Sequence, residues 1–232
     1  LRNAKERKDL NKAIRKINKD LAALGYEDKE LSARVLQNLD FARANLKANI
    51  YDQAVLEGVA TTFPQTEATD VQKILNLKHA WEFILDRDVI QSESNYHMLC
   101  HIAKLVNEGF FYDGGRIRGI PVQIGGTSYV PPLPIETVVI ERIDEIRSQD
   151  KEPIEIAIEL CMYCMKTQVF KDGNKRASVI FANHYLIAQG MGFLVIPEKD
   201  VPEFKKLLVQ YYEGEPLEVI GAFLKERCWK NF

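Results

Sequence analysis

The segment "TQVFKDGNKRASV", residues 167–179, combines residue types that could bind an anion. A short turn containing Gly173 leads into Asn174, Lys175 and Arg176, where an apolar-periodic segment begins. The positive end of a helix dipole disfavours cations, so each of these two cations costs about 0.3–1 kcal/mol at that place. A bound anion would reverse the sign of this interaction. The segment therefore raises the hypothesis of an anion site at a helix N-terminus.

The same residues suit a metal-bound polyphosphate. Backbone N–H groups of Gly173 and Asn174 at the start of a helix would point into a phosphate-binding concavity. Arg176 could add a forked pair of donors, Lys175 a point charge and Asp172 an oxygen ligand for Mg²⁺. The residues alone leave one alternative open, a charged helix start that is capped by solvent.

The composition describes a globular chain without an overall charge signal. The 232 residues fit one large domain or two small ones. With 31 basic and 33 acidic residues the net charge is -2, so no global basic field attracts nucleic acid, and none is expected as a partner. The chain lacks an apolar run of about 20 residues and starts with a highly charged segment, so we expect neither a membrane span nor a signal peptide. Cytoplasmic residence is the default expectation.

Two pairs of side chains have a spacing that can ligate metal. Cys161 and Cys164 form a C-x-x-C inside the helical pattern "IEIAIELCMYCMK", without a second such pair. His97 and His101 lie one helical turn apart, without an evident third ligand nearby. Small apolar packing is favoured over ligation for the cysteines, and packing or surface roles are favoured for the histidines.

The spacing of apolar residues predicts a mostly helical fold. Helices are expected over 9–25, 28–58 with a break near Lys47 to Tyr51, 69–87 with Thr69 as N-cap, 92–109, 134–148, 152–168, 174–192, 202–214 and 216–229.

One stretch, "RIRGIPVQIGGTSYVPPLP", changes to a period of two. Gly125-Gly126 can supply the positive φ values of a tight turn, so the pattern predicts a β-hairpin over 116–132. One edge of this hairpin is expected to be free for strand addition by a peptide. The residues expected to define the alternation are Ile117, Val122, Ile124, Tyr129 and Val130.

These segments together resemble the Fic family, whose motif reads His-x-Phe-x-Asp/Glu-Gly-Asn-Gly/Lys-Arg. Phe170 and the run from Asp172 to Arg176 match this motif in order and spacing. "GGRIRGIPVQIGGTSYVPPLP" resembles the family's flap, and "YDQAVLEGVATT" resembles the segment with its regulatory Ser/Thr-x-x-x-Glu-Gly sequence. The resemblance implies an all-α bundle with a single β-hairpin flap. It further implies N-terminal helices over 1–50, a core over 51–189, and C-terminal helices over 190–232 packed on the same unit.

The family resemblance also implies an activity, the transfer of AMP from ATP with Mg²⁺ to a protein hydroxyl. By this resemblance Asp172 would bind Mg²⁺, Arg176 would bind the distal phosphates, and Asn174 with its neighbours Gly173 and Lys175 would form the anion hole. The flap, from Ile117 to Val130, would dock the target protein. A homo-oligomer is left open.

The sequence leaves the family pattern at the catalytic position, where Gln168 stands in place of the histidine. An amide cannot accept the proton of an attacking hydroxyl, and loss of a general base typically costs about 10²–10⁴ in rate. The family's second arginine falls at Val179 and its regulatory Ser/Thr at Gln53, so Glu57, the regulatory glutamate, is expected to lack its partner.

Three hypotheses therefore remain. The chain could be an impaired AMP-transferase, or a Fic-fold module that binds nucleotide and partner without transfer. It could also be a kinase like Doc, a relative that carries lysine at the position of Lys175.

Overall fold

Helices make up most of the described chain, as the apolar periodicity predicts. The computed structural model describes residues 31–59 and 68–231. In chain order the helices are α1 (Ala33–Ala44), α2 (Leu46–Leu56), α3 (Ala68–Ile84), α4 (Arg87–Ile90), α5 (Tyr96–Val106), α6 (Glu136–Arg147), α7 (Pro153–Thr167), α8 (Asn174–Ala188), α9 (Val201–Tyr212) and α10 (Leu217–Phe223). A 3₁₀ turn at Glu198–Asp200 precedes α9, and a π-helical turn at Leu224–Cys228 follows α10. Ala33–Phe232 forms one unit. None of the described helices is long and apolar enough to span a membrane.

Helix α8 is the central element of this unit. Between residues 174 and 187 every side chain except Lys175 and Tyr185 is buried. A helix that is buried on all sides must be surrounded by other elements. Helices α1, α3, α5 and α7 pack around it, and α7 shares the most extensive interface with it. This packing fixes the N-terminus of α8, where the candidate anion site begins.

The described residues contain one two-stranded antiparallel pair, but it is not the predicted hairpin. Strand β1 (Phe193–Leu194) pairs with β2 (Trp229–Lys230), with Phe193 opposite Lys230. The combination of a helical bundle with a single antiparallel pair is therefore confirmed, whereas its expected place at 116–132 is wrong.

Residues 116–132, called the flap segment below, form no paired strand and have an irregular backbone with bends and one turn. The predicted turn does form, with Gly126 at a φ of 82°. The two arms do not form a ladder, however, because their backbone is held by side chains. Arg118 and Glu213 make these contacts, and Pro121 removes one donor that a ladder would use.

Two predicted helix boundaries are also wrong. The break between α1 and α2 lies at Asn45, ahead of the expected interval, because its side-chain amide donates to the carbonyl of Phe41 at 2.9 Å and competes with the backbone. Thr69 lies inside the first turn of α3, which begins at Ala68, and is therefore not the N-cap. The helix predicted over 9–25 lies outside the described residues.

The cysteine pair is packed in the core, whereas the histidine pair is exposed and contacts aromatic rings. Cys161 and Cys164 are each 1% exposed on the core side of α7. Burial raises the pKa of Cys161 to about 12, so its thiol stays protonated. The ring of His101 stacks on Phe83 with centroids 4.5 Å apart, and His97 lies edge-on to Tyr96.

Candidate functional site

The loop between α7 and α8 has a backbone shape that depends on two residues with positive φ. Gln168 ends α7 in the left-handed region, with φ 49° and ψ 62°, and Gly173 precedes α8 with φ 74°. A Cβ atom on Gly173 would lie 2.7 Å from Oδ1 of Asn107, so a side chain cannot fit there. Between them Phe170 is 1% exposed and anchors the loop in the core.

Asparagine side chains hold this loop in place. Oδ1 of Asn174 accepts the N–H of Phe170 at 2.9 Å, and its Nδ2 donates to the carbonyl of Phe170 at 2.8 Å. Asn107 lies at the C-terminal end of α5, and its Nδ2 donates to the carbonyl of Asp172 at 3.0 Å. The loop is thus fixed in shape by hydrogen bonds that require no ligand.

The N-terminus of α8 is open. No side chain caps it, and the backbone N–H groups of Asn174, Lys175 and Arg176 make no hydrogen bond within the described residues. The first such bond of the helix is donated by Ala177 to the carbonyl of Gly173 at 2.8 Å. Three adjacent free donors at the positive end of a long helix form a ready anion site.

Arg176 lies behind this helix start and is 3% exposed. Nη1 donates to the carbonyl of Val106 at 3.0 Å, and Nη2 donates to Oδ2 of Asp172 at 2.9 Å. Its Nε is buried and has no hydrogen-bond acceptor. Oε2 of Glu57 lies 3.8 Å from this Nε, beyond hydrogen-bond distance, so an anion that comes closer would satisfy the buried donor.

Glu57 directs its carboxylate at both cations of the helix start. Oε1 lies 3.7 Å from Nζ of Lys175, and Oε2 lies 3.8 Å from Nε of Arg176. Glu57 lacks the second arginine of the family motif, as expected, but its carboxylate contacts Lys175 and Arg176. Val179, which is 1% exposed in the core, carries no charge. Lys175 and Arg176 provide the positive charges beside Glu57 instead.

Gln168 uses its side-chain amide inside the loop. Nε2 donates to the carbonyl of Met165 at 2.7 Å, and Oε1 accepts from Nδ2 of Asn174 at 3.0 Å. The amide thus links the end of α7 to the beginning of α8. The side chain of Gln168 therefore has a structural role, because it connects the two helices that flank the loop.

Arg118 is a functional candidate that sequence reasoning missed. It is 2% exposed, and its backbone N–H donates to the carbonyl of Val169 at 2.9 Å. Its guanidinium donates to the carbonyls of Gln168 at 2.6 Å, Ile120 at 2.9 Å and Pro132 at 2.5 Å. No described carboxylate pairs with it, and burial lowers its pKa. Arg118 therefore fastens both arms of the flap segment to the loop.

The flap segment keeps an alternating exposure although it lacks a ladder. Ile117, Val122, Ile124 and Tyr129 are half-buried, whereas Val130 is 61% exposed and does not belong to the inward set. Residues 119–130 make no backbone–backbone hydrogen bond within the described chain.

The turn of the flap segment is tied to the end of α9. Glu213 accepts from Oγ1 of Thr127 at 2.8 Å and from the N–H of Ser128 at 3.2 Å. Together with Arg118, this contact holds the flap segment beside the loop, while residues 119–130 keep their backbone groups out of any backbone–backbone hydrogen bond within the described chain.

Part of the chain is similar to a known family. Residues 93–186 match the model of the Fic/DOC family, a range that includes α5, the flap segment and all but the last two residues of α8. No curated protein matches the chain by sequence.

Several solved structures share the fold. One is a Fic domain-containing signaling protein from Bacteroides thetaiotaomicron, with 17% identity, a TM-score of 0.63 and 85% coverage of each chain. A segment of Fic-1 from C. elegans is similar with 18% identity and a TM-score of 0.59, over 94% of this chain and 71% of that one. A Fic family protein from Desulfovibrio desulfuricans has 14% identity and a TM-score of 0.52, over 89% and 68% of the two chains. At these identities the likeness establishes the helical fold alone.

Proposed function

We propose that the chain binds ATP with Mg²⁺ at the start of α8 and belongs functionally to the protein AMP-transferases, with transfer slowed by Gln168. The observation that carries the proposal is the open helix start of Asn174 to Arg176, with the buried Nε of Arg176 behind it. The match of residues 93–186 to the Fic/DOC family supports the reaction class.

The residues at this place fit a metal-bound polyphosphate. The free N–H groups at the start of α8 would bind phosphate oxygens, and Arg176 would add positive charge from behind the helix start. The carboxylate of Asp172 is 55% exposed and reaches Arg176 with one oxygen, so it remains accessible to Mg²⁺. When bound, Mg²⁺ would neutralise phosphate charge as the leaving group departs.

In the proposed reaction a protein hydroxyl attacks the α-phosphorus of ATP. A new oxygen–phosphorus bond forms, the bond to the β-phosphate oxygen breaks, and pyrophosphate leaves. The hydroxyl proton has to move to a base, and the side-chain amide of Gln168 has no basic atom that could accept it. The loop and Arg176 would still supply orientation and electrostatic stabilisation, which sustain a slow reaction.

The flap segment is the proposed docking place for the target protein. The free backbone groups of residues 119–130 could pair with an extended peptide, as in strand addition. Arg118 would keep the docked peptide in register with the loop, since it joins the flap segment to the carbonyl of Gln168.

Glu57 is proposed to restrain nucleotide binding, because its carboxylate occupies the side of the cations that a phosphate would use. We expect Glu57→Gln to lower the Kd for ATP by about fivefold, since a charge competing over roughly 4 Å near a protein surface is worth about 1 kcal/mol after screening. Titration calorimetry measures this change, and Glu108→Gln, at the exposed residue after α5, is the matched control. Equal affinity in the Glu57 variant and the unchanged chain would remove the restraining role.

Binding without transfer is the second candidate, and the structural role of the Gln168 side chain favours it. Incubation with ATP labelled at the α- or the γ-phosphate separates the possibilities. Label from the α-phosphate alone indicates AMP transfer, and label from the γ-phosphate alone a Doc-like kinase. No label from either, despite measured ATP binding, supports the binding module.

A further inference from the structure

A groove of about 470 Å³ lies beside the flap segment, between the residues that follow it and the last turn of α7. Its walls are mainly apolar and aromatic; they include Tyr129, Leu133, Val138, Tyr163, Lys166 and Tyr211. Leu133, Ile135 and Val138 on its rim are 52%, 64% and 52% exposed. A contiguous exposed apolar surface of this kind marks an interaction site more often than scattered single residues do.

Lys166 places one cation in this groove without a counterion. Its Nζ donates to the carbonyl of Tyr211 at 2.7 Å and lies 4.5 Å from the ring centroid of Tyr211 and 5.5 Å from that of Tyr129. Among the described residues no carboxylate forms an ion pair with it. A partly desolvated ammonium held by two rings and one carbonyl attracts a negative group.

The groove ends next to the candidate site in the chain. Thr167 lines the groove and is followed directly by Gln168, so their Cα atoms are about 3.8 Å apart. Tyr129 belongs both to the groove and to the flap segment that Arg118 fastens to the loop. An extended chain lying in the groove would therefore continue over the start of α8.

We propose that this groove selects the target: it binds a segment that places an apolar side chain against Leu133 and Val138 and an Asp or Glu carboxylate on Lys166. The bound segment then carries its modified hydroxyl a few residues away, toward Gln168. This inference rests on the proposed function for the identity of the partner as a transfer target. The groove's own binding preference does not depend on nucleotide.

An oriented library of synthetic peptides tests the preference. Each peptide carries one central threonine between randomised flanks, and the full chain selects from the library without nucleotide. We expect Asp and Glu to be enriched about fivefold at one flanking position, as for a modest ion pair, with an apolar residue beside it. Lys166→Glu should shift the enrichment at that position to Lys and Arg, and Lys166→Met should abolish it. Lys47→Glu, at an exposed lysine of α2, should leave it unchanged.

Two results would overturn the proposal. One is the absence of any acidic enrichment by the unchanged chain. The other is an acidic preference that persists in Lys166→Glu, provided that this variant has the same melting temperature as the unchanged chain. ATP binding, measured on the same protein, keeps the tests apart. If Lys166→Glu reverses the charge preference but the chain does not bind ATP, the groove proposal stands and the transfer function is wrong. If the chain binds ATP but shows no peptide preference, the groove proposal is wrong and the proposed nucleotide site stands.

Discussion

We expect Gln168→His to transfer AMP from ATP to protein about 10²–10⁴ times faster than the unchanged chain, the usual contribution of a general base. A histidine with a pKa near 6.5 can accept the proton of the attacking hydroxyl at neutral pH, whereas the amide of Gln168 cannot. Incorporation of label from α-labelled ATP with Mg²⁺, into the chain itself or a target, measures the rate.

The backbone at this position suits the substitution. Gln168 lies at a φ of 49°, a region in which histidine is found more often than most residues with a side chain. The variant loses the amide's hydrogen bonds to Met165 and Asn174, each worth about 0.5–1.5 kcal/mol. A lower melting temperature should therefore accompany the gain in rate.

Gln168→Ala is the matched control, because it also removes these hydrogen bonds but supplies no base. It should be destabilised to a similar degree and show no gain in labelling. If the unchanged chain labels as fast as Gln168→His, another residue is the base and the assigned role of position 168 is wrong.

The second large effect concerns Arg118. We expect Arg118→Met to lower the free energy of unfolding by about 3 kcal/mol, because methionine fills much of the space and leaves several carbonyls without their charged donor. The carbonyl of Gln168, at 2.6 Å from Nε, should contribute most, since the other acceptors lie on the more exposed flap segment.

Urea denaturation measures this change, and Arg116→Met provides the control. Arg116 lies two residues earlier in the chain, is exposed, and should change stability by no more than about 0.5 kcal/mol. Equal denaturation midpoints for Arg118→Met and the unchanged chain would show that Arg118 does not fasten the flap segment to the loop.

The sequence predicted the parts of the site that depend on local order. Periodicity located the helices around the loop, and the glycine turn with its two cations located the start of α8. The turn at Gly126 followed from local backbone preference as well.

What the sequence did not reveal depends on distant partners. Arg118 stands among alternating apolar residues, and nothing near it in the chain indicates that it binds the carbonyl of Gln168, fifty residues away. The same alternation predicted a strand ladder that does not form. Alternation indicates which side chains face inward, but it does not indicate what their backbone groups bind. Glu57 lies near Lys175 and Arg176 only in the folded chain, where Gln53 of α2 donates to the carbonyl of Arg176 at 2.9 Å.

Titration calorimetry with ATP and Mg²⁺ is the most direct test of the central claim, that the start of α8 binds a nucleotide. The account predicts saturable binding of one ATP per chain, lost in Arg176→Ala and retained in Arg43→Ala, at an arginine of α1 far along the chain from the loop. Circular dichroism establishes that each variant is folded. Absence of saturable binding at millimolar ATP by the folded, unchanged chain, or equal binding by Arg176→Ala, would contradict it.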